Sequence, residues 1–366
     1  MSTSILVSEE LQPGPTPAPP HRVIGLAALG LVIAILATLL MAKAAMMVRD
    51  YNHDGPVSTA VGVVLVVLSL YAWIPAIRAF GKARERSRLL AGDELVAARR
   101  VAARGREEAL ISMGWAAAAA IVALLIIFVF ANGGGVAGTF FNIPDIKLSF
   151  HQIVRAFWTN IWVACVSEVL VLILGLLVAI VRMLPGRAGA PLRAIAVVYC
   201  DTFRAIPAIV VILLIVFGLP LTGVKFFQTM PTVWLGIIAL TLTYTAYVSE
   251  VYRAGLSSIH PSQSAAARSL GLSYVQTLRT VLVPQAVRRV IPPLLNDFIS
   301  LQKDTALLSV AAIPEALLVA GLWESKLFNL SPITLVAALF IVITIPQPRV
   351  VDWLIDRDAS RRAGGS

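Results

Sequence analysis

Eight apolar runs, each close to the length that carries a helix across a bilayer, constrain how this chain can fold. They lie at 23–42, 57–77, 109–131, 156–181, 194–219, 226–249, 281–302 and 327–348. About 20 apolar residues cross the ~30 Å of hydrocarbon, and inside it every backbone group must be satisfied within the segment. The expected fold is therefore an all-α membrane protein with about eight transmembrane helices. A further apolar stretch at 305–314 is too short to cross and reads as re-entrant or interfacial. Composition agrees, with 58% hydrophobic and 14% charged residues, against about 25% charged in a soluble domain. A mean hydropathy of +0.85 is more than one buried core supplies.

The net charge of +10 sits in the loops, which argues for membrane orientation and against nucleic acid. The segment 78–106 holds Arg78, Lys82, Arg84, Arg86, Arg88, Arg99, Arg100, Arg104 and Arg106. Arg182, Arg187 and Arg193 follow two loops later, then Arg253, Arg268, Arg279, Arg288 and Arg289, and finally Arg349, Arg357, Arg361 and Arg362. The alternate loops carry only Lys43 and Arg49, Lys147, and Lys225. Eight crossings with both termini cytoplasmic satisfy the positive-inside rule at every loop. Residues 1–22, with Glu9, Glu10 and five prolines, read as a disordered cytoplasmic tail. Its acidic character and the length of the run at 23–42 argue against a cleaved signal. The basic segment has helical character and reads as a solvated cytoplasmic helix that packs little; a docking surface for anionic lipid or a partner is the alternative.

The loop 251–284 has internal order. Pro261 suits a first helical turn. The alanine-rich run at 262–270 favours helix, and Gly271 stands where a terminating glycine belongs. Ser273 and Gln276 form a capping-box pattern that starts a second helix, and Pro284 should kink it at the membrane. A compact helix with small side chains suits mechanical coupling to a soluble motor. A lipid-surface helix is the alternative, but alanine offers little bulk for insertion.

These residues resemble the hallmark loop of ABC-importer permeases. That loop reads Glu-Ala-Ala, three residues, Gly, nine residues, then Ile-x-Leu-Pro. Ala266, Ala267 and Gly271 match, and after nine residues come Val281, Val283 and Pro284. The flanks YVSEVYRAGLSSIHPSQ (Glu250, Arg253, Gly255, Pro261, Gln263) and RRVIPPLLNDFISLQKDTALLSV (Pro292, Pro293, Asn296, Lys303, Asp304, Thr305) are similar to the polar amino-acid subgroup. So is DTFRAIPAIVVILLIVFGLP, with Arg204, Pro207, Gly218 and Pro220.

The resemblance covers about 158–357 and implies a five-helix permease domain at 155–357. The helices at 23–131 are then three additions, which move the N-terminus to the cytoplasm. It implies Pro261, Gln263, Ala265, Ala266, Ala267, Arg268, Gly271 and Pro284 as the ATPase-coupling positions, with Ala265 departing from the family's glutamate. It further implies an ABC ATPase dimer, an extracytoplasmic binding protein, a second permease copy or sister permease, and a substrate such as glutamine or glutamate. ATP and Mg would be used by the partner, with no cofactor bound by this chain. The cell membrane of a bacterium is the implied location.

The chain has no phosphate-binding loop of its own, since Gly81 and Lys82 are followed by Ala83. No nucleophile–base arrangement or zinc-ligand spacing is visible, so no enzyme active site is expected. Acids inside spans are costly and point to function or pairing. Glu168 and Asp297, with the neighbouring Asn296, are candidates for the substrate path, with a structural partner as the alternative. Asp201 and Arg204 suggest an i, i+3 pair, and Lys303 and Asp304 suggest anchors for the short segment after them. Cys165 and Cys200 read as small buried hydrophobes. An ion-coupled secondary amino-acid transporter is the competing function, and it predicts repeats with interrupted helices.

Overall fold

The computed structural model describes residues 20–51, 55–184 and 186–363, and most of the expected N-terminal tail lies outside them. Among the described residues every regular element is helical. The chain divides into two compact units, 1–138 and 139–366.

The first unit contains α1 (Pro20–Tyr51), α2 (Pro56–Ser69), α3 (Trp73–Ala91) and most of α4 (Leu95–Phe140). Its seams are built from small residues. Ala27, Ala34, Ala37 and Ala44 of α1 are buried, as are Ala76, Ala79 and Ala83 of α3 and Ala109, Ala116 and Ala123 of α4. Leu36, Leu39, Val67, Leu125 and Phe128 point outward. Lipid tails are as apolar as leucine, so helices in a membrane associate through close backbone approach and scattered hydrogen bonds. Here Ser112 Oγ donates to the Ala72 carbonyl at 2.8 Å, and Trp73 Nε1 donates to Thr38 Oγ1 at 3.0 Å.

The basic segment differs from expectation. It folds as a hairpin of α3 and α4 around a turn at 92–94, and the seam continues through it. Ala83, Arg86, Ala98 and Val101 are buried there, with Arg86 only 3% exposed. Heptad-spaced small residues, masked by arginines in the sequence, account for packing that charge alone did not suggest.

The second unit contains α5 (Ile143–Arg182), α6 (Ala190–Ala205), α7 (Ala208–Leu213), α8 (Leu219–Leu221), α9 (Lys225–Thr229) and α10 (Thr232–Ser257). It continues with α11 (Pro261–Ser269), α12 (Tyr274–Thr277), α13 (Val283–Asp304), α14 (Ala316–Leu327), α15 (Ser331–Thr344) and α16 (Pro346–Ala363). The central helix is α10, whose spanning window is 67% buried, against 11% for the last span. Its Leu235, Ile237, Leu240 and Val248 meet Val163 and Val171 of α5 and Leu301 of α13 in the main core.

Among the described residues, five helical stretches are long and apolar enough to cross a bilayer, or seven if each of two bent pairs counts as one span. One of the five, Leu95–Arg182, runs 88 residues and breaks at 131–134 and again at 141–142. The run expected at 109–131 ends where Asn132 takes φ 52°.

The fifth expected run is not a straight span. Ala190–Ala205 and Ala208–Leu221 meet at 106°. Pro207 lacks the N–H a continuing helix needs, and Ile206 before it is extended at ψ 131°. The seventh expected run, 281–302, lies within the first arm of a second bent pair, Arg279–Ala311 and Ala316–Leu327, which meet at 53° beyond the end of that run. The short segment at 305–314 forms a 3-10 turn, Thr305–Ala311, with Thr305, Leu308 and Ala311 buried. It is held by Asn160, whose Nδ2 donates to Thr305 Oγ1 at 3.0 Å and to Glu315 Oε2 at 2.9 Å. Glu315 in turn caps α14, accepting from the Leu318 N–H at 2.7 Å. Cys200 is buried, with Sγ 3.1 Å from Ser249 Oγ, whereas Cys165 is exposed, contrary to the sequence reading.

Candidate functional site

Two features of the second unit carry chemistry or mechanics, and α10 and α13 take part in both. The first is the loop after α10. His260 caps α11, its ring nitrogen accepting from the Ser262 N–H at 3.2 Å, and Pro261 occupies the first turn. The helix ends in a Schellman motif. Gly271 N–H donates to the Arg268 carbonyl at 3.0 Å and Leu272 N–H to the Ala267 carbonyl at 3.3 Å, while Gly271 holds φ +85°. Only glycine takes that conformation without a Cβ penalty. The capping box forms as read: Ser273 N–H donates to Gln276 Oε1 at 2.9 Å, and Gln276 N–H to Ser273 Oγ at 3.3 Å. A π-turn, Leu278–Leu282, follows, and Pro284 lies in the first turn of α13. The interruption therefore falls just before the proline, which has no N–H to give the preceding turn.

The loop presents a small-residue surface. Pro261, Gln263, Ala265, Ala266 and Arg268 are exposed, and Ala267 is buried. Because position 265 faces outward, alanine there leaves no buried group unmatched, and α11 forms regardless. Leu270, 84% exposed at the tip, is a large apolar side chain on an otherwise polar corner. The loop is tied back to the helices it joins. Arg289 donates to Ser258 Oγ at 2.8 Å, and a Cβ on Gly255 would lie 2.1 Å from Val290 Cγ1, so α10 and α13 touch backbone to side chain. Glu250 Oε2 accepts from Arg182 at 2.6 Å and from Arg253 Nε at 3.2 Å, joining α5 to the end of α10.

The second feature is a cavity of about 380 Å³ at the α6–α7 break. Its charged and aromatic walls are Arg204, Tyr244, Tyr247, Asp297 and Asp304, with Thr243 and Ser300 between them. Tyr244 Oη donates to Asp304 Oδ2 at 2.8 Å. The Arg204 guanidinium lies 5.8 Å from the Tyr247 ring centroid, within cation–π range, instead of pairing with Asp201 as the sequence suggested. Asp297 Oδ2 is shielded from solvent and has no hydrogen-bond partner among the described residues. A site offering one guanidinium, two carboxylates and several hydroxyls can hold a small zwitterion.

Of the path candidates, Asp297 lines this cavity. Glu168 does not, and its Oε2 is buried with no hydrogen-bond partner among the described residues. Asn296 is exposed and outside the lining. Asp304, read as an anchor, is instead a wall. The sequence reading passed over Tyr244 and Tyr247, although the hydroxyl-rich run TLTYTAY within an apolar helix was a usable signal. Asn160 and Glu315 were also missed, since 155 residues separate them.

Residues 171–357 match the family described as binding-protein-dependent transport system inner membrane component. The probable glutamine ABC transporter permease protein GlnP of Bacillus subtilis is 40% identical over 159 residues, 43% of this chain and 70% of that protein. The glutamate transport system permease protein GluC of Corynebacterium efficiens is 33% identical, covering 58% of this chain and 96% of its own length. Among solved structures, the crystal structure of an amino acid ABC transporter with histidines superimposes with a TM-score of 0.53 at 27% identity. That match covers 58% of this chain and 96% of the other.

Proposed function

The chain belongs to the family of binding-protein-dependent transport system inner membrane components, as an ABC permease of the polar amino-acid type, and on that premise we propose a division of labour within its second unit. The cavity beside Pro207 takes the amino acid, and the loop 251–284 transmits the movements of a separate ATPase dimer. The observation that carries this reading is the cavity wall itself, since a guanidinium and carboxylates facing one small space complement an amino acid's carboxylate and ammonium. Glutamine and glutamate, named for relatives in Bacillus and Corynebacterium, are the substrates the resemblance implies. ATP and Mg act in the partner, a binding protein delivers substrate from outside, and a second copy or sister permease completes the path.

Residues 155–357 form the permease domain in this proposal, and the helices at 23–131 are additions to it. Eight crossings follow if Leu95–Arg182 is divided at its breaks and each bent pair counts once, which leaves both termini cytoplasmic. Reporter fusions ending at 51–56 should then report outside and those ending near Arg88 inside; the reverse pattern would reject this topology. Interrupted helices favour an ion-coupled carrier, and two occur here, but they do not fall in corresponding halves of a repeat. The functional test is purification of the full chain from its native membrane. An ABC ATPase should co-purify, with hydrolysis stimulated by the loaded binding protein. A chain that transports without any ATPase subunit would overturn the proposal.

A further inference from the structure

We infer that the groove between α1 and α2 of the first unit holds one chain of a phospholipid whose head carries a primary ammonium, with Arg49 on its phosphate and Asp50 on its ammonium. The groove has a volume of about 280 Å³ and is lined from both helices. Its floor is made of small residues, Ala42, Ala45 and Gly62, and a Cβ on Gly62 would stand 3.2 Å from that of Ala45. Its walls are Met46, Val63 and Val67, each more than half exposed. Both helices belong to stretches apolar enough to cross a bilayer, so the groove opens where hydrocarbon is the solvent. Arg49 and Ala42 lie seven residues apart on α1, about 10 Å along its axis. A slot of that length and volume is roughly 6 Å across, narrower than a helix of about 10–12 Å, so it suits a hydrocarbon chain and excludes a partner helix.

One end of the groove is polar. α1 runs to Tyr51 and α2 begins at Pro56, so Arg49 stands with Ser58 and Thr59 beside the connection, at the start of the apolar run at 57–77. A lipid head lies at that depth. Lipid tails gain nothing hydrophobic by exchanging other tails for the groove, so a preference must come from the head. The Arg49 guanidinium suits a phosphate, which it can meet with two parallel N–H donors. Asp50 Oδ1 lies 3.9 Å from that guanidinium, and both side chains are exposed. Water and salt weaken such a pairing, and a head of two opposite charges complements both members. The hydroxyls add direction. Ser58 Oγ and Thr59 Oγ1 both donate to the Gly55 carbonyl, at 2.8 and 3.1 Å, so toward the groove they offer lone pairs only. The end therefore presents a guanidinium to a phosphate, and a carboxylate with two hydroxyl acceptors to an N–H donor. A primary ammonium has three such donors, a trimethylated one has none, and a glycerol head brings no cation to Asp50.

The test is native mass spectrometry of the full chain in mild detergent, with phosphatidylethanolamine, phosphatidylcholine and phosphatidylglycerol of identical acyl chains. One phosphatidylethanolamine should be retained about tenfold more strongly than either of the others. Arg49→Gln should cut that retention about tenfold, and Asp50→Asn should remove the preference over phosphatidylglycerol. Val63→Trp fills the slot from an exposed wall, so it should lower the retention of all three lipids without disturbing the fold. Glycerophosphoethanolamine, which has the head without the chains, should not compete. Equal retention of the three lipids, as in a general lipid coat, would overturn the inference, and so would no retention at all. Unchanged retention in Arg49→Gln or in Val63→Trp would do the same. Competition by glycerophosphoethanolamine as strong as by the whole lipid would make the ligand a soluble phosphoester and overturn it too. None of these outcomes bears on the importer reading, which rests on the second unit.

Discussion

The loop at 251–284 and the cavity at Pro207 are connected by the same two helices, yet they are held together in opposite ways. In the loop the bonds that shape α11 and its exit are local: His260 to Ser262, Gly271 to Arg268, Ser273 to Gln276. Such a piece keeps its shape wherever it moves, as a lever should. The cavity draws its walls from α6, α7, α10 and α13, and its fixed contacts join distant residues, such as Tyr244 with Asp304 across 60 positions. Its shape depends on how those helices are set against one another. A rigid lever attached to a site of adjustable shape lets an ATPase change the site without touching it.

The sharpest way to break this picture is at the joint between α10 and α13. A side chain at Gly255 must displace Val290, and overpacking of that kind costs about 1–3 kcal/mol. Gly255→Val is expected to abolish uptake, and adding Val290→Ala should recover part of it. If Gly255→Val transports normally, the two helices do not move as one and the lever has no connection to the site.

Next in size is Arg204→Ala. Loss of a charge-assisted bond to substrate should weaken uptake about tenfold at constant protein abundance, with the exposure of Arg204 limiting the effect. Loss of the protein from the membrane instead would give Arg204 a structural role.

Gly271→Val should be smaller, since a β-branched residue in the left-handed region costs about 1–2 kcal/mol and the space around it is open. ATPase association should weaken, or hydrolysis should continue without uptake, while membrane insertion stays normal. Normal coupling in this variant would separate the loop from the motor. Ser273→Ala removes only a cap worth about 1 kcal/mol and should slow uptake least.

The same contrast explains what the sequence disclosed. Pro261, Gly271 and the Ser273–Gln276 pair could be read in advance because each acts within a few residues of itself. The lipid-facing runs were legible for the same reason, as continuous apolar length. Pro207 stood in plain view, yet a proline in an apolar run does not say whether the helix kinks slightly or turns through 106°. Tyr244, Asp304 and Arg204 meet only after α6, α10 and α13 are packed, and no local pattern encodes that meeting. Asn160 and Glu315 belong with them. The alanine seam through the arginine-rich hairpin was hidden because charge dominates a linear reading, while packing depends on the residues every seventh position.

The central claim is that ATP hydrolysis, acting through the loop, drives an amino acid through this chain. Proteoliposomes containing the chain, its ATPase and its binding protein test it directly, with ATP inside and ionophores abolishing every ion gradient. The account predicts amino-acid accumulation that requires ATP and is unaffected by the ionophores. Accumulation that proceeds without ATP and stops when the gradients collapse would contradict it.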